Sequence, residues 1–287
     1  ALSSYYLGSF LSPLVYFFNL SNMPDAVYLI TLLKFGFIGL STLFSISRIF
    51  EAIPKPIKLA LSISYALMSF TVSQLEIKTW LDVFILIPLI ITGLHLLITE
   101  NKRLLYFTSL SILFIQNYYF GYMTALFLFF WYLCQISWNF KTRRLSFLDF
   151  VVTSFLAGLT SSIMTLPTLL DLRTHGEKLT AITKFKTDGS WYLDVFAKQF
   201  IGSFDTTKYG SIPMIFVGLL PFILTVLFFT LKSIQFHVKL VYVMFFTILI
   251  ASFYIEALDL FWQGMHTPNM FLHRYAWIFS TLLIYTA

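Results

Sequence analysis

Leu104–Trp138 reads LLYFTSLSILFIQNYYFGYMTALFLFFWYLCQISW, 35 residues without a charged side chain. A helix rises about 1.5 Å per residue, so this run is too long for one crossing of a ~30 Å hydrocarbon layer and slightly short for two. Its flanks decide. Lys102 and Arg103 precede it, and the KTRR of Lys141–Arg144 follows it. Cytoplasmic loops collect Lys and Arg, so both flanks belong on one side and the run crosses twice. Asn117–Tyr122, NYYFGY, supplies the polar and aromatic turn of that hairpin.

The rest of the chain repeats the pattern. Its 287 residues are 58% hydrophobic and 11% charged, with mean hydropathy +0.82. That composition belongs to membrane-spanning sequence. Hydrocarbon admits only helices and closed barrels, because every backbone amide must be satisfied internally. The apolar runs are continuous instead of alternating, so the fold class is all-α, a polytopic transmembrane helical bundle. About nine spans are expected: 25–47, 59–74, 80–99, two within 104–138, then 146–170, 212–231, 240–255 and one beginning at Arg274. Ser3–Phe18, interrupted by Gly8 and Pro13, reads as a segment lying at the interface. Pro88 should kink the third span, and Gly36 and Gly39 should let a helix pack closely on the first. A mixed-charge loop, 171–211, is expected to be ordered by Trp191, Tyr192 and Phe196. Residues 1–287 read as one transmembrane domain whose two ends fall within apolar sequence, hence as a piece of a larger protein.

Net charge is +6, but the cations sit in short loops at 48–58, 102–103, 141–144 and 232–239. Every second loop is therefore basic, which sets orientation and gives no case for nucleic acid. The intervening connections carry the unusual polar and aromatic residues, and the positive-inside rule puts them outside a cell membrane crossed many times. Glu256–Tyr275, EALDLFWQGMHTPNMFLHRY, is the richest of these. Cys134 is the single cysteine and lies inside an apolar run, so it reads as packing.

Several residues are candidates for chemistry. Lys34 sits inside the first span, where an ammonium costs about 3 kcal/mol or more on insertion scales and must face a cavity or a partner. An anionic lipid phosphate is the ligand it suggests. Asp82 follows Trp80 at the outer start of the third span and is a candidate base or orienting carboxylate; the plain alternative is a helix-dipole aspartate beside an interfacial tryptophan. Asn117, Tyr118 and Tyr119 suit sugar stacking and equally suit headgroup level. In the 256–275 cluster, Arg274 offers a phosphate fork, Asn269 a polar contact, and His266 a base or phosphate partner. His266 and His273 lack the spacing of a metal site, so no metal or other cofactor is indicated, although a divalent cation fits the chemistry. No P-loop, GxGxxG, GxSxG or paired-aspartate element supports a soluble nucleotide-sugar donor.

Six pieces in order then resemble one family: YYLGSFLSPL, LLKFGFIGL, WLDVFILIPLIITGLHLL, NYYFGYM, GSIPMIFVGLLPF and PNMFLHRYAWIFS. Together, over nearly the whole chain, they are similar to the YfhO family of bacterial membrane proteins, large GT-C-type glycosyltransferases. The resemblance implies a sugar donor on a polyprenyl phosphate, used on the outer face of the cytoplasmic membrane. It implies a cell-envelope polymer such as lipoteichoic acid as acceptor. Lys34, Trp80, Asp82, Asn117, Tyr118, Tyr119, Pro268, Asn269 and Arg274 fall within the matching motifs. GT-C enzymes place a catalytic carboxylate in the first outer loop, which would precede Ala1. Where the family tends to have Tyr-Ser-Phe after the arginine, this chain has Tyr275, Ala276 and Trp277, and the family's early Ser-Pro-Phe is altered around Phe10–Pro13. The rival reading is a transporter or flippase of a lipid-linked sugar, built from the same intramembrane charge and aromatic residues; a membrane scaffold would have no use for Lys34.

Overall fold

Long apolar runs with few internal breakers become helices, and the breakers set where they stop. The computed structural model describes residues 9–175, 180–187, 192–200, 213–268 and 272–287. Along the chain the helices are α1 (Met23–Ile49), α2 (Lys55–Ala66), α3 (Ser69–Ser73), α4 (Leu81–Glu100), α5 (Leu104–Gln116), α6 (Tyr118–Ser137) and α7 (Phe140–Arg143). There follow α8 (Phe147–Thr160), α9 (Ser162–His175), α10 (Asp194–Ala197), α11 (Leu219–Thr230), α12 (Phe236–Tyr254), α13 (Glu256–Trp262) and α14 (Ala276–Thr286). The described residues contain no strand, only an isolated bridge between Lys186 and Ile255. The all-α polytopic reading holds.

Nine spans do not. Among the described residues five helical stretches are long and apolar enough to cross a membrane: Leu20–Ile49, Lys55–Ser73, Lys78–Glu100, Tyr118–Ser137 and Phe236–Tyr254. A sixth is counted only if α8 and α9 form one span, and these meet at 74°. The apolar helices α5, α11 and α14 are each 10–17 residues long. At about 1.5 Å per residue they fall short of a ~30 Å layer. Local chemistry explains two of the shortfalls. The expected turn 117–122 shrinks to Asn117 alone, which is extended and accepts the Tyr119 and Phe120 N–H groups on Oδ1 at 3.1 and 3.0 Å, so Tyr118–Tyr122 already belong to α6. That is N-cap chemistry. Ahead of α11, residues 213–218 are not helical; Phe216 exchanges hydrogen bonds with Ser69, and Gly218 turns into the helix at φ 94°.

The chain divides into two units. In the first, comprising residues up to 67, 74–121 and 146–174, α1 packs on α2 and α4, and α5 on α4 and α8. Gly93 decides the α4–α5 crossing: a Cβ there would lie 2.4 Å from the Tyr106 backbone N and 2.6 Å from its Cα. Backbone cannot yield as a side chain can. Gly93→Ala should therefore cost about 1–3 kcal/mol through overpacking, whereas Gly36→Ala, with nothing within 4 Å, should not. Parallel melts of the two variants check this, and equal stability would remove the close crossing. Of the two glycines expected to admit a helix, only Gly39 meets one, at 3.9 Å from Ala66 Cβ.

Arg48, Lys102 and Arg103 share an end of this unit. Arg48 pairs with Glu51 and Glu100, Lys102 with Glu100 at 2.7 Å, and Arg103 with Asp149 at 2.8 Å.

The second unit comprises residues 68–73, 122–145 and from 175 onward. Its core is aromatic. Phe130 stacks on Phe245 at 5.1 Å, Phe127 meets Trp277 at 5.8 Å, and Trp131 meets Tyr285 at 5.8 Å, joining α6 to α12 and α14. His237 donates to the Ser137 carbonyl and Trp138 Nε1 to Tyr242, which brings the loops around 138–145 and 232–239 together. The described parts of the long loop are not ordered by aromatic burial. Tyr192 and Phe196 are exposed, and Trp191 lies outside the described residues. Backbone pairing holds the loop instead: Thr187 N–H to Tyr254 O, Glu256 N–H to Phe185 O and Thr180 N–H to Met265 O.

Candidate functional site

The polar residues of the first unit that the sequence singles out converge around one ion pair. Lys34 in α1 is 2% exposed and Asp82, in the first turn of α4, is 0% exposed. Lys34 Nζ donates to Asp82 Oδ2 at 3.0 Å, to the Lys78 carbonyl at 2.9 Å and to Ser9 Oγ at 2.9 Å. All three ammonium protons are used, so Lys34 does not snorkel. Its carboxylate partner is held at one oxygen only: Asp82 Oδ1 makes no hydrogen bond among the described residues. The Ser9 hydroxyl also lies against this carboxylate. Removing either charge would strand the other, which makes the pair an obligate unit.

Trp80 closes the same end of the unit. It ends a short 3-10 turn, Lys78–Trp80, is fully buried, and meets the Phe120 ring edge-on at 5.1 Å. Phe120 follows the Asn117 cap by three residues, so Trp80 and Asn117 are brought to one place. Asn117 itself is buried, its Oδ1 committed to the start of α6; Tyr118 and Tyr119 beside it are half-buried. Lys34, Trp80, Asp82 and Asn117 thus form one constellation, at the end of the unit opposite Arg48, Lys102 and Arg103.

In the second unit the 256–275 stretch forms a network that pattern reading did not assemble. Asp259 Oδ1 accepts from His273 Nδ1 at 2.6 Å and from Tyr275 OH at 2.9 Å, and Oδ2 accepts from Gln263 Nε2 at 2.9 Å. A carboxylate only accepts, so the Nδ1 position of His273 carries the proton. The Phe253 and Trp262 rings stack on Tyr275 at 5.4 and 5.7 Å. His273 has φ 55° and Met265 φ 63°, a left-handed backbone held in place by the surrounding bonds. His266 and Arg274 are half-buried in this same stretch, and Asn269 lies outside the described residues. The sequence signal was present, since Asp259 and His273 both sat in the polar cluster. Their pairing was not legible at a separation of 14 residues across a loop.

No group of three or more His, Cys, Asp or Glu among the described residues is placed to hold a metal ion. No curated protein and no solved structure matches the chain. The family model described as "Bacterial membrane protein YfhO" matches residues 1–287, the whole chain. The chain, with its apolar helices and buried ion pair, therefore belongs by that whole-length match to the YfhO family of bacterial membrane proteins.

Proposed function

We propose that the protein is an integral membrane glycosyltransferase. It moves a sugar from a polyprenyl-phosphate donor to a cell-envelope polymer such as lipoteichoic acid, on the outer face of the bacterial cytoplasmic membrane. Membership of the family is consistent with this activity. The observation that carries it is the half-committed Asp82: Lys34 anchors Oδ2, and Oδ1 keeps its lone pairs. In this reading Oδ1 takes the proton of the acceptor hydroxyl as that oxygen bonds to the anomeric carbon. The bond from that carbon to the phosphate oxygen breaks, and its electron pair leaves on the phosphate.

In the first unit Lys34 answers the phosphate charge; in the second, Arg274 and His266 are the groups suited to a phosphate. At Lys34 the replaceable contact is Ser9, because a phosphate oxygen is a stronger acceptor than a neutral hydroxyl. Trp80, Asn117, Tyr118 and Tyr119 of the first unit contact the substrate. A general base is worth about 10²–10⁴-fold in rate. Full-length protein given polyprenyl-phosphate sugar labelled in the sugar should release polyprenyl phosphate and label the acceptor, and Asp82→Asn should slow transfer by that factor. Wild-type rates in Asp82→Asn would remove Asp82 from the chemistry. The 74° break between α8 and α9 favours a second reading, a transporter of lipid-linked sugar, since such proteins use broken helices. Label that crosses the membrane still attached to its lipid would select it.

A further inference from the structure

Buried polar groups without partners gather around the Asp82 level of the first unit. Gln116 is 7% exposed, and neither Oε1 nor Nε2 of its amide makes a hydrogen bond. Gln74, 3% exposed, leaves Oε1 unbonded, and Thr79 Oγ1 and Asp82 Oδ1 are in the same condition. A buried donor or acceptor without a partner loses its hydration for nothing, so native chains leave few of them.

Helix register puts these groups at one level. The backbones of α4 and α5 come close at Gly93 and Tyr106. Asp82 lies eleven residues before Gly93 and Gln116 ten after Tyr106. The two helices run antiparallel, as the contact of Trp80 with Phe120 beyond them requires. Equal rise per residue then carries Gln116 to within about 2 Å of the height of Asp82. Thr79 is one turn before Asp82, and Gln74 opens the turn that leads to Lys78.

Two amides and a hydroxyl offer both donors and acceptors near this level. Several hydroxyls on one rigid ring answer that set; a hydrocarbon chain or a bare phosphate does not. We propose that Gln74, Thr79 and Gln116 form the subsite that binds the sugar hydroxyls of the lipid-linked donor, next to the Asp82 oxygen that receives the acceptor's proton. The assignment rests on the transferase reading and adds to it three residues and the part of the substrate they hold.

The test compares affinities of the full-length protein for farnesyl phosphate and for farnesyl phosphate carrying glucose, galactose or N-acetylglucosamine. Wild type should bind at least one sugar-bearing lipid tenfold or more tighter than farnesyl phosphate. Gln116→Met and Thr79→Val should erase that preference and leave the affinity for farnesyl phosphate unchanged. Gln116→Met should also raise the melting temperature of the ligand-free protein, since an apolar side chain of similar shape replaces an unpaired amide. A residue kept for structure alone would lower it. A sugar preference that survives in both variants, or a lower melting temperature in Gln116→Met, overturns the subsite and leaves the transferase reading standing. Absence of any preference in wild type overturns both.

Discussion

Asp82→Leu will lower stability by about 3–5 kcal/mol, and adding Lys34→Met to it will restore most of that loss. The asymmetry follows from the ion pair's setting. With Asp82 gone, the Lys34 ammonium keeps only two neutral acceptors, the Ser9 hydroxyl and the Lys78 carbonyl, in a site 2% exposed. An unpaired buried cation is more costly than the pair is favourable. Once both side chains are apolar, no charge remains to be desolvated, and replacing a buried pair in this way is often neutral or stabilising. Reversible unfolding in mixed micelles of the two single variants and the double checks the cycle. Additive losses would mean that the two residues do not depend on each other. The stable double variant should still fail to transfer sugar, which separates the fold's use of the pair from the chemistry's.

Asp259→Ala should cost about 3 kcal/mol or more in the second unit. That carboxylate accepts three hydrogen bonds, from His273, Tyr275 and Gln263. Each buried donor left without a partner loses about 1–3 kcal/mol. The left-handed backbone of His273 and Met265 depends on the same bonds, so the loss should appear first as local opening. Hydrogen exchange should speed up across α13 and around residues 272–275 before global unfolding does. Asp259→Asn keeps a carbonyl acceptor and should lose less. An Asp259→Ala chain with wild-type exchange in these segments would show that the network carries no load.

Composition and run length were enough to read the class of fold, because hydrocarbon leaves so few structures available. They were not enough to count the spans. Apolar sequence does not mark where a helix begins: Asn117 caps α6 where a six-residue turn was expected, and residues 213–218 replace the first third of an expected span with non-helical chain. Lys34 announced itself by the cost of an ammonium in a span. Its partner did not, since Asp82 lies 48 residues away and periodicity carries no information about pairing between helices. The unpartnered Gln116 was invisible for a related reason. A glutamine at the end of an apolar helix reads as a terminus until its burial is known. Asp259 stands in a stretch rich in polar residues, and nothing in their spacing pairs it with His273, Tyr275 and Gln263.

The proposed function depends on sidedness: it requires the Lys34–Asp82 end of the first unit, and separately the 256–275 stretch, to face outward and the basic loops to face the cytoplasm. Cysteine accessibility measures this directly, and the native Cys134 is buried, which leaves a quiet background after Cys134→Ala. Single cysteines at Glu76 and His266 should react with a membrane-impermeant maleimide on intact cells. Cysteines at the exposed Lys141 and Lys232 should react only after permeabilisation. Reaction of Glu76→Cys and His266→Cys from opposite sides of the membrane would contradict the account.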